Sequence, residues 1–365
     1  MILARYVAMR YLRAFVLLSA VFMAILLLID MVEQIRRFSS AGIGLGGALR
    51  LSALSVAGSF YGILPLIGLL AGITLFLGLS RNSEMVAIRA SGRSALRLLV
   101  APALMAMLIG AACVAVLNPM VAATEKQYSA EVARIQSGGA QVGLGDSGVW
   151  LRQGLDNGAG QMVIRAARTS PDATTLYGAT FLLFDPEAGP VTRIEAAEAH
   201  LGDGVWELAR VKSWALSLPN PESAAQEREA MALPTDLTAD RIRDGFGRPQ
   251  TVPIWQLPGF IEGLQTAGFT ATRHQVWFQM ELALPLMLAA MVTVAAIFTM
   301  RHMRGRRTGM LVLAAFGAGL ALFFLRNLAQ VLGEAGDVTP EMAAWAPPII
   351  AILFAVGALL RLEDG

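Results

Sequence analysis

Six stretches of this chain stay apolar for about the length a helix needs to cross the hydrocarbon core of a bilayer, roughly 20 residues. They run from about Ala14 to Ile35, Ser55 to Leu79, Leu98 to Leu117, Phe278 to Met300, Met310 to Leu332 and Ala343 to Leu360. Only the first is interrupted, near its end, by Asp30 and Glu33. Arg5, Arg10 and Arg13 ahead of that stretch are also what a secretory signal would show. Its apolar run is longer than the usual core of such a signal, about 7–15 residues, and the segment Asp30-Met-Val-Glu-Gln-Ile-Arg-Arg37 offers no small-residue cleavage site, so a retained membrane helix is expected.

Between the third and fourth stretches the pattern changes period. Val149–Arg152, Gln161–Ala166, Thr175–Phe184, Arg193–Leu201 and Val205–Leu216 alternate or are rich in β-branched residues. Turn chemistry separates them: Gly145-Asp-Ser-Gly148, Asp156-Asn-Gly158, Ser170-Pro-Asp172, Asp185-Pro-Glu-Ala-Gly-Pro190, Gly202-Asp-Gly204 and Pro219-Asn-Pro221. Strands at this spacing predict an antiparallel sandwich or jelly roll. Residues 220–250 are polar and proline-rich and read either as irregular chain or as a connecting strand. Leu257, Phe260, Ile261 and Leu264 then mark a short amphipathic helix. The expected fold is thus an α-helical bundle of six transmembrane helices, three plus three, with an inserted antiparallel jellyroll-like β-domain. The expected parts are residues 1–119 with a short helix at about 81–92, residues 120–275, and residues 276–365.

Composition supports a second solvent: 55% of the 365 residues are hydrophobic and 15% charged, with a mean hydropathy of +0.57. The net charge is only +2 and Lys126 and Lys212 are the two lysines, so nothing suggests a nucleic-acid face. Charge is informative by position. With the N-terminus inside, the inner loops hold Arg5, Arg10 and Arg13, then Arg81, Arg89, Arg93 and Arg97, then Arg301, Arg304, Arg306 and Arg307; the opposite short loops hold Arg36, Arg37 and Arg50, then Glu334, Asp337 and Glu341. The positive-inside bias places both termini in the cytoplasm and the β-rich insert outside it. Cys113 lies in an apolar run, which excludes a disulfide framework or a cysteine–histidine metal set.

Three features bear on function. Gly58-x-x-x-Gly62 and Gly68-x-x-x-Gly72 flank Pro65, and such spacings let helices approach closely, within the bundle or against a second subunit. The loop Ser80-Arg-Asn-Ser-Glu-Met-Val-Ala-Ile-Arg-Ala-Ser-Gly92 predicts a short helix capped by Ser83 and stopped at Gly92. A helix there is either a surface that a soluble motor pushes or one lying among lipid headgroups. Finally, Arg326 falls about 24 Å along the fifth membrane helix, near the depth of Asp30, Glu33, Arg36, Arg37, Arg273 and Glu281. A charge inside the bilayer costs roughly 2.5–3.5 kcal/mol even on the mildest scale. These residues either snorkel and pair with one another or line a cavity whose arginines grip a phosphorylated lipid headgroup. Neither a phosphate loop nor His-Glu-x-x-His is present, and His200, His274 and His302 are scattered, so any ATP must be hydrolysed by another chain and no cofactor is expected.

Over nearly its whole length the sequence resembles the LptF/LptG permease family of the lipopolysaccharide export system. The resemblance rests on Arg5-Tyr6 ahead of the first helix, Asp30 to Arg37 at its far end, Ser83-Glu-Met-Val-Ala-Ile-Arg-Ala-Ser-Gly92, and Arg273-His-Gln-Val276. Of the two branches it looks more like LptG. The resemblance implies an inner-membrane ABC transporter in which LptF and LptG form a cavity, an LptB-type ATPase dimer docks below, and lipopolysaccharide passes to a periplasmic bridge begun by LptC. Carried over by position, Glu84, Met85, Ile88, Arg89, Ser91 and Gly92 match the coupling helix that sits in the ATPase groove. Arg36 and Arg37 match a basic pair near the cavity mouth; Arg273 and Arg326 are cavity candidates from their membrane depth and not from the match. Asp30 departs from the pattern, since a basic residue can stand there, and pairing with a nearby arginine is its alternative role. Two other readings remain from the residues alone. One is a non-transporting scaffold whose exported domain binds a partner protein. The other is a lipoprotein-releasing or mechanotransmitting ABC subunit, which the three-plus-three arrangement disfavours.

Overall fold

The computed structural model describes residues 2–38, 44–90, 94–136, 141–145, 148–154, 160–170, 174–185, 189–235, 237–238, 242, 248–266, 270–300 and 308–364. The chain divides into two compact units, one formed by Met1–Tyr128, Pro253–Trp255 and Thr272–Gly365, the other by Ser129–Val252 and Gln256–Ala271.

The first unit is helical, and among the described residues six of its segments are long and apolar enough to cross a membrane. Helix α1 runs unbroken over Ile2–Arg37, so Arg5 and Tyr6 lie inside it and not ahead of it. The second apolar stretch is divided: α2 spans Leu45–Gly62 and α3 spans Leu64–Arg81. Pro65, in the first turn of α3, has no N–H to give the Tyr61 carbonyl; Ile63 instead bonds back to Phe60 and accepts from Leu66 and Ile67. After the short α4, Glu84–Ala90, helix α5 covers Ala95–Ala112, with Ser94 capping it by accepting from the Arg97 N–H. It does not stop at Leu117. A π-turn over Cys113–Leu117 leads into α6, Asn118–Gln136. Pro119 cannot donate in the first turn of α6, and the widened turn accommodates the missing bond. The helical unit therefore extends past residue 119, as far as Tyr128.

Three further helices complete this unit: α8 over Thr272–Thr299, α9 over Thr308–Ala335 and α10 over Pro340–Asp364. Helix α8 is central and packs against α3, α5, α9 and α10, with every residue from Met287 to Ala296 buried. Gly68 and Gly72 serve this packing, since a methyl on Gly68 would stand 2.9 Å from Leu288 and one on Gly72 3.0 Å from Ala295. Of the two glycine spacings, Gly68-x-x-x-Gly72 thus works inside the bundle.

Among the described residues the second unit is a seven-stranded antiparallel sheet with the strands in sequence order. They are β1 Gln141–Gly145, β2 Gly148–Gly154, β3 Gln161–Thr169, β4 Thr175–Asp185, β5 Gly189–Leu201, β6 Val205–Ala215 and β7 Gln226–Pro234. The connections are those of a meander, without the crossings of a Greek key. Five strands fall where alternation predicts them, β7 realises the connecting-strand reading of the 220–250 segment, and β1 lies in a stretch with no strand signal. Residues 146–147, 155–159, 171–173 and 186–188, within four of the predicted turns, lie outside the described residues. The amphipathic helix is present as α7, Leu257–Thr266. It sets Leu264 into the core of the sheet, with Phe260 and Ile261 packed against it.

One irregularity crosses five strands together. Pairing skips Ala167 opposite Gly178, Gly178 opposite Ala197, Ala197 opposite Arg210, and Arg210 opposite Glu229. On either side of this row the buried residues are three apart instead of two: Ala166 and Thr169, Leu176 and Ala179, Ala196 and Ala199, Leu208 and Val211. Each strand carries one extra residue there, so the inward face stays apolar along its whole length. The backbone takes left-handed values at Gly178 (φ 61°) and Arg210 (φ 53°).

A β-branched side chain at Gly178 would be held in that left-handed region with its Cβ 3.4 Å from that of Ala167. Gly178→Val is expected to destabilise the β-domain by about 1–2 kcal/mol, whereas Arg210→Gly, which accepts the same backbone angles, is not. Thermal unfolding of the two purified variants, followed by circular dichroism of the sheet, checks this.

Candidate functional site

The short helix α4 has two distinct faces. Met85 and Ile88, 6% and 8% exposed, are part of the core that also holds Val7, Tyr11, Leu79 and Leu98. Val86, 52% exposed, and the exposed Ala87 and Ala90 face away from it. Seven residues are too few to hold a helix on their own, so α4 depends on that packing and on what holds its first residue. Ser83 precedes it with φ 58° and contributes through its carbonyl, which accepts from Val86 and Ala87.

Glu84 is the anchor. Arg10 Nη1 lies 2.8 Å and 2.9 Å from its two carboxylate oxygens, Tyr6 Oη donates to it at 3.0 Å, and Asn82 Nδ2 at 3.1 Å. Arg10 Nη1 also donates to Tyr6 Oη at 2.9 Å, and the guanidinium stands 5.9 Å from the Tyr6 ring centre. Tyr6 and Arg10 are four residues apart on α1 and so share a face. Gly78 leaves space for the guanidinium, since a methyl there would come within 3.0 Å of Arg10 Nη2. These hydrogen bonds, Arg10's first, outweigh desolvation and hold the Glu84 carboxyl below its ordinary value of 4.5. Ser91 and Gly92, expected to end this helix, lie outside the described residues, as does the side chain of Arg89.

At the other end of α1, Arg36 and Arg37 are both exposed. Arg36 pairs with Glu33 at 2.8 Å, one turn back on the same helix. Arg37 donates to Tyr128 Oη at 3.4 Å and lies over the Phe38 ring. Asp30 accepts from Ser55 Oγ on α2, so its role is to tie those two helices together. Arg273, in the first turn of α8, reaches the half-buried Glu334 on α9 at 3.8 Å, a loose pair with an exposed arginine that contributes little.

Deeper in the bundle is a second polar group. Tyr61 Oη donates to Glu281, which is 2% exposed, and the charge of Arg326 acts on the same carboxylate from α9. Asn118 adjoins both and accepts from the Ile254 N–H at 2.9 Å. Each of these three residues stands shortly before a proline in the chain. Tyr61 and Glu281 stand four residues before Pro65 and Pro285, whose rings cannot donate to their carbonyls, and Asn118 stands directly before Pro119. Sequence reasoning placed Arg326 and Glu281 at membrane depth but passed over Tyr61 and Asn118. The proline four residues on was the available signal for Tyr61.

Two outcomes follow. Tyr61→Phe leaves the buried Glu281 without that donor and is expected to cost about 1–3 kcal/mol, read as a lower melting temperature in detergent. For Glu84, whose folded value is depressed, the clamp's contribution is full above the ordinary value of 4.5 and is lost as pH falls through the lower, folded one. A spin-label distance between α1 and α4 should stay constant at neutral and mildly acidic pH and lengthen only in that acid window.

Comparison with known proteins agrees with this architecture. The family model described as lipopolysaccharide export system permease LptF/LptG matches residues 5–361. The chain is 24% identical over 347 residues to the lipopolysaccharide export system permease protein LptG of Escherichia coli strain K12, covering 92% of this chain and 91% of that one. It is 21% identical over 348 residues to the protein of the same name from Haemophilus influenzae, covering 93% and 94%. With a match that takes in both the helical unit and the inserted sheet, the chain belongs to the LptF/LptG family of lipopolysaccharide export permeases.

Proposed function

We propose that this chain is the LptG-type permease half of an ABC transporter that lifts lipopolysaccharide from the outer leaflet of the inner membrane and hands it to a periplasmic β-jellyroll bridge. The observation that carries this reading is α4, a helix fixed to the bundle by one face while Val86, Ala87 and Ala90 are left outward for a motor to grip. In the proposed orientation both termini and α4 are cytoplasmic and the seven-stranded sheet is periplasmic, as the arginine distribution favours. Energy comes from an LptB-type ATPase dimer, so this chain performs no hydrolysis and carries no cofactor. A paralogous LptF-type permease supplies the other half of the cavity, and an LptC-type protein continues the bridge.

Arg36 and Arg37, exposed at the outer end of α1, are the proposed contacts for the phosphorylated headgroup, with Arg273 and Arg326 as further candidates. Arginine suits this role because its planar fork meets phosphate oxygens two at a time. The apolar interior of the sheet suits the acyl chains, each methylene of which costs about 0.8 kcal/mol to expose to water. An edge strand of the sheet offers backbone groups to which the next domain can add.

The test is co-purification of the tagged chain from detergent-solubilised membranes with identification of what accompanies it. An ABC ATPase, a six-helix paralogue and lipopolysaccharide are the expected companions; recovery of the chain alone, under conditions that preserve other complexes, would favour the scaffold reading. Val86→Asp is expected to release the ATPase while the chain stays folded and inserted. Reversal of Arg36 and Arg37 to glutamate is expected to keep the complex assembled and blunt the stimulation of its ATPase by lipopolysaccharide.

A further inference from the structure

We infer that Glu84 is a positioning residue that clamps α4 to α1 through Arg10 and Tyr6, so that a displacement of α4 is delivered to α1 and carried along it to Arg36 and Arg37. The inference rests on the reading of α4 as the motor-docking helix. It assigns Arg10 and Tyr6 to force transmission and turns the Glu84 carboxylate inward, away from the motor.

The geometry supports each link. Arg10, Tyr6 and the adjacent Asn82 donate to the Glu84 carboxylate and engage both of its oxygens. A carboxylate so occupied would have to surrender charge-assisted bonds before it bound anything else. The covalent routes out of α4 transmit poorly. Toward the N-terminus the chain passes through the left-handed turn at Ser83 into α3, which ends at the Ile63 break. Toward the C-terminus it enters α5, which contains Pro102 and runs into the π-turn. Helix α1, in contrast, has neither proline nor glycine between Ile2 and Arg37 and shows no break over its 36 residues. Sharp kinks in helices arise at proline, glycine or π-turns, so α1 is built to move as one rod. From Arg10 to Arg36 it spans about 39 Å at 1.5 Å per residue. The clamp thus joins the motor-facing helix to the element that carries the basic pair, by a path of two side chains and one straight helix.

A charge swap tests this in the intact complex of permease pair and ATPase, reconstituted in proteoliposomes containing lipopolysaccharide. Arg10→Glu and Glu84→Arg are each expected to keep the ATPase bound and to lower lipopolysaccharide-stimulated turnover at least about five-fold. The double variant, with the pair reversed, is expected to recover most of it. Loss of the bound ATPase in Glu84→Arg with no recovery in the double variant would overturn the inference, because the carboxylate would then be a contact to the motor. Wild-type turnover in both single variants would overturn it as well. Should the reversals prevent accumulation, Arg10→Lys and Tyr6→Phe weaken the same clamp gently; unchanged turnover in both counts against it, and a graded loss counts for it. If the unaltered chain recruits no ATPase, the docking reading fails. The clamp is then judged by the α1–α4 spin-label distance alone, which the single reversals should lengthen and the double variant restore.

Discussion

In a bilayer a backbone carbonyl has no water to turn to, so each break in a membrane helix has to be matched by polar groups from the protein itself. This constraint orders the helical unit. Pro65, Pro119 and Pro285 interrupt the hydrogen-bonding of three different elements, and beside them stand Tyr61, Asn118 and Glu281, the residues that form the buried polar group. The group joins α2 to α8, with Arg326 of α9 supplying the opposite charge. The breaks and the polar residues are one arrangement: the prolines loosen the helices where side chains from neighbouring helices meet. Around it the apolar residues of α8 provide the close-packed centre.

The two ends of α1 depend on a different balance. At one end, Arg10 and Glu84 are each largely sheltered and share their hydrogen bonds with Tyr6 and Asn82. At the other, the Arg36–Glu33 pair is open to solvent and adds little to stability. An ion pair worth little to the fold can be given up cheaply to a ligand. The Arg10–Glu84 pair is suited to hold, and Arg36 to exchange partners.

Much of this was legible in the sequence, and what was not follows a physical rule. The apolar runs marked the membrane helices, because each span had to be apolar over its own length. The turn residues marked β2 to β6, because each hairpin is closed locally. Pro65 was visible but read as a point within one helix, although with Gly62 before it the local signal favoured a break. The partners of Glu84 and Asp30 were not legible. Arg10 is 74 residues from Glu84 and Ser55 is 25 from Asp30, and pairing across such distances is decided by how helices pack. The resemblance set Glu84 in the coupling helix and left Asp30 between a headgroup contact and pairing with an arginine; tertiary packing gives the first an arginine of its own chain and ties the second to a serine. Met85, Val86 and Ile88 were all read as apolar contacts of the short helix; the bundle core takes up Met85 and Ile88 and leaves Val86 outside.

The row of skipped pairs across β3 to β7 also limits how this domain is able to vary. Beyond Gly178, Ala197 or Arg210 each strand's inward residues stay inward only because every neighbour carries its own extra residue at the same level. Losing one residue from a single strand would turn half of that strand inside out against partners that had not changed. The five strands are therefore tied in length as a set, and insertions or deletions are tolerated only in the connections between them.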